Sequence, residues 1–230
     1  MWKRVLEITL LGFSTAFLLL SIGVVVWYKY RPVSTTPLML KRSWEYGYTL
    51  PISHKETWIT LSDFSSELVH AVIQSEDARF WQHKGFDYEE ITKMLEQHKN
   101  NGTIWRGCST LSQQTAKNVF TLGSNTYFRK AIEAYFTVLI EVIWGKERIL
   151  EVYLNIAETG AGLYGLPAAC RTYYHKDVGK VNLKEACALA ICLPNPLHRD
   201  PQWAYTQDAY HIEQLYERCL CNYNLKYTLP

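Results

Sequence analysis

The chain has 230 residues, enough for one globular domain with its own core and an additional segment, and too few for two large domains. Its 48% hydrophobic and 14% aromatic residues exclude disorder over most of the length. The net charge of +2 comes from the N-terminus: residues 1–31 hold four basic residues and one acidic residue, which leaves 20 basic against 21 acidic residues elsewhere. Such a neutral body excludes broad nucleic-acid binding, so any anionic ligand must be bound by locally placed cations.

An apolar segment extends from Ile8 to Tyr28 without an ionisable side chain before its terminal tyrosine. As a helix, these residues would extend over about 31 Å, enough to cross the hydrocarbon core of a bilayer. Basic residues flank both ends, and aromatic residues cluster at the C-terminal end, as is typical of a membrane interface. The segment is longer than the usual apolar region of a signal peptide and no small-x-small cleavage site follows it. We therefore predict an uncleaved transmembrane anchor over residues 1–30 and prefer it to a cleaved signal peptide.

Residues 31–55 are predicted to be a connector, because they contain three prolines, a Ser-Thr-Thr run and no helical period. Residues 56–230 show helical patterns without long strand-like runs or internal repeats, which predicts an all-α domain.

The six cysteines form no C-x-x-C motif, so the spacing typical of a zinc site is absent. Cys170, Cys187 and Cys192 lie among Ala and Leu and are predicted to be small core residues.

Glu76 is the first candidate catalytic residue. It follows a helix start signal near Thr60–Asp63 and lies on the same predicted helix face as apolar residues three, four and seven positions before it. Burial would raise the pKa of such a carboxyl group and suit it to general acid–base work near neutral pH. The alternative is a buried structural carboxylate paired with Arg79 or His83. The loop that follows is expected to shape a site through Asp77, Phe80, His83 and Gly85.

A second cluster surrounds a predicted helix start near residue 110. Small and hydroxyl residues at a helix N-terminus present free N–H groups and the positive end of the helix dipole, which suit phosphate oxygens. Residues of this kind also occur at many helix starts that bind no ligand. Lys117, further along the same helix, is what favours a binding site here. The candidate residues for binding phosphate are Ser109, Thr110, Gln113, Gln114 and Lys117.

A third cluster opens the most apolar helix after the anchor. Glu133 has Arg129 and Lys130 four and three residues before it, so these cations should keep its carboxylate ionised. Two carboxyl groups with opposed environments, here Glu133 and Glu76, are typical of an acid–base site. The segment 134–144 is hydrophobic nearly all round, which predicts a central helix, and Glu141 within it is interpreted as part of a structural ion network.

These segments together resemble the peptidoglycan glycosyltransferases that polymerise lipid II, and specifically their short monofunctional members. The resemblance extends from about Thr49 to Pro196, and the order and spacing of the motifs make it specific. Bifunctional members carry a downstream transpeptidase domain, for which this sequence leaves no room, so we expect a monofunctional protein. The motifs are EDARFWQHKGFD, GCSTLSQQTAKNVF, RKAIEAYFTVLIE, KERILEVYLN, LYGLPAACRTYYHK and EACALAICLPNP.

The resemblance implies an all-helical, lysozyme-like fold of two lobes around a cleft, with the smaller lobe at the membrane surface. It implies that Glu76 is the base and that Glu133 assists at the donor, where it is also the candidate ligand for a divalent cation such as Mg²⁺ or Mn²⁺. No organic cofactor is expected. It implies that the donor's diphosphate and first sugars are bound by Ser109, Gln114, Lys117 and Arg129. Thr110, Gln113 and Lys130 are further candidates for the same role. Two positions depart from the family pattern, with Cys108 in place of a glycine and Asn125 in place of an arginine.

The implied partners are lipid II, the growing glycan strand, membrane lipid and proteins of cell-wall synthesis or division, with no nucleic acid. The implied location is the bacterial cytoplasmic (inner) membrane, with one membrane pass and the catalytic domain on the outer, periplasmic side. A lysozyme-like lytic glycosidase would also use a glutamate in a helical cleft, but it needs neither grouped cations for a leaving diphosphate nor a bilayer anchor. A non-catalytic membrane scaffold is the third alternative, and the intact Glu76 and Glu133 argue against it.

Overall fold

A computed structural model describes residues 2–47, 58–102, 108–122 and 126–223. Regular structure in these ranges is helical apart from a short antiparallel hairpin of β1 (Glu158–Gly160) and β2 (Leu163–Tyr164), so the predicted all-α class is confirmed. In chain order the helices are α1 (Trp2–Tyr30), α2 (Pro37–Tyr46), α3 (Ser66–Glu76), α4 (Tyr88–Asn101), α5 (Leu111–Phe120), α6 (Tyr127–Ile143), α7 (Lys146–Ile156), α8 (Leu166–Tyr174), α9 (Leu183–Cys192), α10 (Pro201–Gln207) and α11 (Ala209–Tyr223).

Helix α1 is long and apolar enough to cross a membrane, with a mean hydropathy of 2.2 over its most apolar window. Most of its side chains are exposed, but its C-terminal half packs against α6. The Trp144 indole donates a hydrogen bond to the Val25 carbonyl at 2.7 Å, and Arg148 donates to the carbonyls of Tyr28 and Arg31 at 2.8 and 2.5 Å. The Tyr28 carbonyl lies in the last turn of α1 and lacks a partner within the helix, so Arg148 satisfies it. Helix α1 therefore fits a single-pass membrane anchor attached to the domain at one end.

Helix α2 corrects the sequence analysis, which found no helical period between residues 31 and 55. The Thr36 hydroxyl accepts a hydrogen bond from the Met39 N–H at 3.2 Å, Pro37 occupies the first turn, and Gly47 ends the helix in the left-handed conformation at φ 68°. Met39 is only 1% exposed and attaches the helix to the body. The helix is therefore defined by its caps and one apolar contact. The predicted boundary between connector and domain lies outside the described residues.

Two groups of helices form the two sides of the molecule. Helices α3, α9, α10 and α11 pack on one another, and so do α1, α2, α5, α6 and α7. The predicted core cysteines, Cys170, Cys187 and Cys192, are all buried in the helical body. The last residue of α3 and the segment after α9 face the second group across a cleft.

Helix α6 is not central, contrary to the sequence prediction. Its residues Phe136 and Ile140 are buried, whereas Val138 and Val142 are 50% and 79% exposed. The exposed stripe lies on the same face as Tyr135, whose ring and hydroxyl contact α1 at Phe17 and Ser21. The helix is apolar on two sides because one side meets the core and the other lies beside the anchor helix.

The C-terminal segment forms two helices, where the sequence predicts a single closing helix over about 205–222. Asp200 caps α10 by accepting the Trp203 N–H at 2.7 Å, and Pro201 occupies the first turn, so this helix begins earlier than predicted. At Asp208 the backbone leaves the helical region, and its carbonyl then accepts the first hydrogen bonds of α11. The break arises from local capping, which the apolar period does not reveal.

Candidate active site

A cleft with a volume of about 630 Å³ lies between the two groups of helices. One wall comes from the end of α3 and from residues 193–197 after α9, and the other comes from α2, α5 and α6. The end of α7 and the start of β1 close the cleft between these walls. The sequence-predicted residues that line it together are Glu76, Ser109, Gln113, Gln114, Lys117, Arg129, Lys130 and Glu133.

Glu76 ends α3 with its carboxylate in the cleft. Its Oε2 accepts a hydrogen bond from Gln114 Nε2 at 2.7 Å, and its buried Oε1 has no hydrogen-bond partner among the described residues. Burial raises the pKa of Glu76, the hydrogen bond from Gln114 opposes the rise, and the negative charge of Asp77 adds to it. The direction agrees with the sequence prediction.

The structural alternative for Glu76 does not match the contacts. Arg79 pairs with Asp87 at 3.2 Å and with Glu89, and His83 pairs with Asp77. Both candidate partners are thus engaged by other carboxylates, and Glu76 is left as an acid group without an ion-pair partner among the described residues.

Gln114 is oriented by Tyr153, which the sequence analysis did not single out as a site residue. The hydroxyl of Tyr153 on α7 donates a hydrogen bond to Gln114 Oε1 at 3.3 Å, which leaves the amide N–H₂ group directed at Glu76. Burial raises the pKa of Tyr153 well above its ordinary value, so the phenol stays a donor. Only the EVYLN motif marks this residue in the sequence, and its helical period gives no sign of a contact with α5.

The loop after α3 fixes the N-terminus of α5. Asp77 Oδ2 accepts the Leu111 N–H at 2.9 Å, and both Asp77 oxygens lie 3.0 Å from His83 Nε2. The Thr110 hydroxyl donates to the Gly85 carbonyl at 2.6 Å. These residues lie behind the cleft and hold α5 against α3, together with the fully buried Phe80. The four predicted site-shaping residues are thus brought together behind the cleft.

Two predicted phosphate-binding residues are engaged in capping α5. The Thr110 hydroxyl accepts the Gln113 N–H at 3.2 Å, and Gln113 Oε1 accepts the Thr110 N–H at 3.1 Å. This reciprocal capping box occupies the Gln113 oxygen, although Gln113 still lines the cleft. Thr110 does not line it. Both remain predictions as ligand-binding residues, and Ser109, which precedes them, lines the cleft.

The basic cluster contains both paired and unpaired cations. Glu133 is 2% exposed and accepts hydrogen bonds from Arg129 at 2.8 Å and from Lys130 at 2.5 Å. Lys117, one turn after Gln114 on α5, has no hydrogen-bond or ion-pair partner for its ammonium group within the described ranges. The cleft walls lower the pKa of Lys117 by removing water, and the charge of Arg129 lowers it further. Glu141 pairs with Lys146 at 2.7 Å, as predicted for a structural residue.

The surroundings of Glu133 do not fit a divalent cation bound by the protein. Both of its oxygens already face cations, and no group of three or more His, Cys, Asp or Glu side chains that could hold a metal ion occurs in the described part of the chain. A cation site there would need additional oxygen ligands.

The structure adds cleft residues that sequence reasoning missed. Arg42 on α2 pairs with Glu158 at the start of β1, with Arg42 Nε 3.2 Å from Glu158 Oε1. Burial raises the pKa of Glu158, and Arg42 opposes the rise. The residue pattern around α2 contains no signal for this contact, since the two residues are 116 positions apart. Cys108, one of the two departures from the family pattern, is partly buried, and Asn125 lies outside the described residues.

Comparisons with known proteins identify the family of the chain. A family model described as Transglycosylase matches residues 46–219. The chain is 42% identical over 182 residues to a biosynthetic peptidoglycan transglycosylase of Bdellovibrio bacteriovorus, covering 78% of this chain and 72% of the relative. Proteins of the same name from Escherichia coli and Shigella sonnei are 39% identical over 202 residues and 38% identical over 226 residues. These two alignments cover 85% and 92% of this chain, and 83% and 93% of the relatives.

Proposed function

The chain belongs to the transglycosylase family and is a peptidoglycan glycosyltransferase with a lysozyme-like helical fold, and we propose that it polymerises lipid II into glycan strands. One observation carries the proposal. The same cleft contains a carboxyl group with a raised pKa and a free oxygen, Glu76, and an ammonium group without a partner among the described residues, Lys117. A base and an unpaired cation are what transfer from a diphosphate requires.

On the acceptor side, Glu76 takes the proton from the 4-hydroxyl of the GlcNAc unit of lipid II. Its Oε1 is available for that proton, because Gln114 occupies only Oε2. The hydroxyl oxygen then forms a bond to the anomeric carbon of the donor MurNAc unit from the face opposite the leaving group. This direct displacement inverts the anomeric centre.

On the donor side, the bond between the anomeric carbon and the diphosphate breaks, and undecaprenyl diphosphate leaves with the electron pair. Lys117, Arg129 and Lys130 stabilise the negative charge that grows on the diphosphate oxygens. Glu133 holds the last two cations in the cleft through its ion pairs. Ser109 and Gln114 contribute polar contacts to the first sugars.

Helix α1 would place this reaction at the bacterial inner membrane, with the domain on the outer, periplasmic side where finished glycan accumulates. The exposed apolar stripe of α6 beside α1 supports contact between the domain and lipid. Proteins of cell-wall synthesis or division that share this membrane are the expected macromolecular partners.

The proposal is tested with labelled lipid II and the detergent-solubilised full chain. We expect glycan polymer whose formation stops when a moenomycin-type donor mimic is added. Incubation with finished glycan distinguishes the lytic alternative, which would release short fragments. Absence of polymer under conditions in which a relative is active would contradict the proposed function.

The exchange of Glu76→Gln tests the role of the base. We expect the polymerisation rate to fall by about 10²–10⁴-fold, because a general base contributes an acceleration of that order. The variant keeps the shape of the side chain and should retain binding of the donor mimic. If Glu76→Gln polymerises at the wild-type rate, Glu76 is not the base and another group must take the proton.

A further inference from the structure

Arg42 is a cation of the cleft that comes from the helix next to the membrane anchor. It lies one turn after Leu38 on α2, and both residues line the cleft, while Met39 between them is buried against the body. Helix α2 packs on α5, the helix that carries Lys117. The connector thus contributes part of one wall of the site.

Arg42 is bound by a carboxylate of the same cleft. Its Nη2 donates a hydrogen bond to Glu158 Oε2 at 3.4 Å, and its Nε lies 3.2 Å from Glu158 Oε1 in an ion-pair contact that is not a hydrogen bond. Arg42 also contacts two residues of its own helix: its Nη1 donates to the Tyr46 hydroxyl at 3.3 Å and lies 3.9 Å from Glu45. A guanidinium has five N–H donors, so these contacts leave donors for a further anion.

The charges that line the cleft explain why this pair matters. The cations are Arg42, Lys117, Arg129 and Lys130, and the acidic residues are Glu76, Glu133 and Glu158. Arg42 is close enough that its charge helps to lower the pKa of Lys117. Glu158 therefore neutralises Arg42, the α2 cation near Lys117. Glu133 neutralises Arg129 and Lys130 of α6 in the same way.

We propose that Arg42 binds the donor's diphosphate together with Lys117, and that Glu158 competes with the diphosphate for Arg42. This inference rests on the proposed function and adds a contact from the connector helix to it. A planar guanidinium can bind two phosphate oxygens at once, which suits a diphosphate better than a monophosphate. The Arg42–Glu158 pair would open when the donor enters and form again when undecaprenyl diphosphate leaves.

The test measures binding of undecaprenyl diphosphate and undecaprenyl monophosphate to the full chain in the same detergent. For Arg42→Gln we expect about tenfold weaker binding of the diphosphate, the order of one charge-assisted hydrogen bond, and a smaller change for the monophosphate. For Glu158→Gln we expect tighter binding of the diphosphate. Lys41→Gln is the matched control, because Lys41 precedes Arg42 on α2, pairs with Glu45 and does not line the cleft.

The opposite directions of the two variants separate binding from a structural role. Both variants lose the same ion pair, so a purely structural pair would weaken diphosphate binding in both, and that result overturns the inference. An Arg42→Gln variant that binds the diphosphate as tightly as Lys41→Gln overturns it as well.

If Arg42→Gln fails to fold, Arg42→Lys and Glu158→Gln replace it in the test. We then expect Arg42→Lys to lose the preference for diphosphate over monophosphate. A wild-type chain that does not bind the diphosphate at all contradicts the proposed function itself.

Discussion

Among the described residues, Glu76 receives a hydrogen bond on one of its two carboxylate oxygens, and this asymmetry bears on its chemistry. The hydrogen bond from Gln114 stabilises the ionised form and fixes the orientation of the group, while Oε1 remains open to a substrate proton. Tyr153 extends the arrangement by holding the other end of the Gln114 amide. Burial and hydrogen bonding therefore act in opposite directions on the same carboxyl group, and their balance sets the pH at which it can accept a proton.

Replacing Gln114 should shift the pH dependence of the reaction. In Gln114→Leu the hydrogen bond that lowers the pKa of Glu76 is lost, so its pKa rises further above the ordinary value. A base works only when ionised, so we expect the acidic limb of kcat/KM against pH to move to higher pH, with partial recovery of activity as the pH is raised. Gln202→Leu, on the exposed surface of α10, is the matched control. A limb that stays in place or moves to lower pH would show that Gln114 does not tune Glu76.

Replacing Lys117 should lower activity without lowering stability. We expect Lys117→Gln to lower kcat by about 10²–10³-fold, the usual effect of removing one electrostatic contact to a developing charge. The Tm should remain the same or rise slightly, because Lys117 has no ion pair to lose within the described ranges and lies near two cations of α6. Lys184→Gln, at a surface pair with Glu213, is the control and should leave kcat unchanged. A fall in Tm with unchanged kcat would assign Lys117 to the scaffold.

At the scale of elements, the loop between α3 and α4 connects three helices. Gly85 has φ +90°, and a Cβ atom there would lie 2.9 Å from Thr137 Cγ2 on α6. Its carbonyl also accepts the Thr110 hydroxyl at the start of α5. One position therefore fixes α6 and the α5 N-terminus relative to the end of α3, where Glu76 lies.

We expect Gly85→Ala to destabilise the protein by about 1–3 kcal/mol, because alanine is strained at positive φ and meets Thr137. Gly102→Ala is a matched comparison, since Gly102 has φ +61° but no atom within 4 Å of an added Cβ. The Tm measured by thermal unfolding should therefore fall more for Gly85→Ala than for Gly102→Ala. Equal falls would mean that backbone strain alone matters and that the contact with α6 does not.

Sequence patterns identified the helices that have strong local signals. The apolar period before Glu76, the hydroxyl cap at Thr110 and the i−4 and i−3 cations of Glu133 are all local features, and the structure contains each of them. The contacts that join these helices are not local. Tyr153 reaches Gln114 across 39 positions and Arg42 reaches Glu158 across 116, so no pattern within one element could predict them.

The helical period of apolar residues gave wrong predictions for two helices, in opposite directions. Helix α2 has only one residue in the core, so its apolar period is weak and only its caps mark it. Helix α6 is apolar all round, which predicts burial in a water-soluble protein but is equally expected where one side meets lipid. The composition of a helix alone does not show which of two apolar surroundings its faces meet.

At the scale of the whole molecule, the anchor and the cleft are connected through the same helices. Helix α6 contacts α1 with one face and places Arg129 and Glu133 in the cleft near its N-terminus. Helix α2 follows the anchor by six residues and lines the same cleft. A lipid-linked substrate with its head group at the membrane surface would therefore meet the donor side of the cleft without leaving the bilayer.

Val142 tests whether the exposed stripe of α6 meets lipid. We expect Val142→Lys to lower the polymerisation rate in liposomes about fivefold relative to the rate in detergent micelles, because a lysine at the edge of the lipid phase costs roughly 1 kcal/mol. The ratio of the two rates is the useful quantity, since a folding defect would lower both. Gln202→Lys adds the same charge on α10, away from α1, and should leave the ratio unchanged. If the ratio for Val142→Lys equals that of the control, the α6 stripe does not contact the bilayer, and α1 alone holds the enzyme at its substrate.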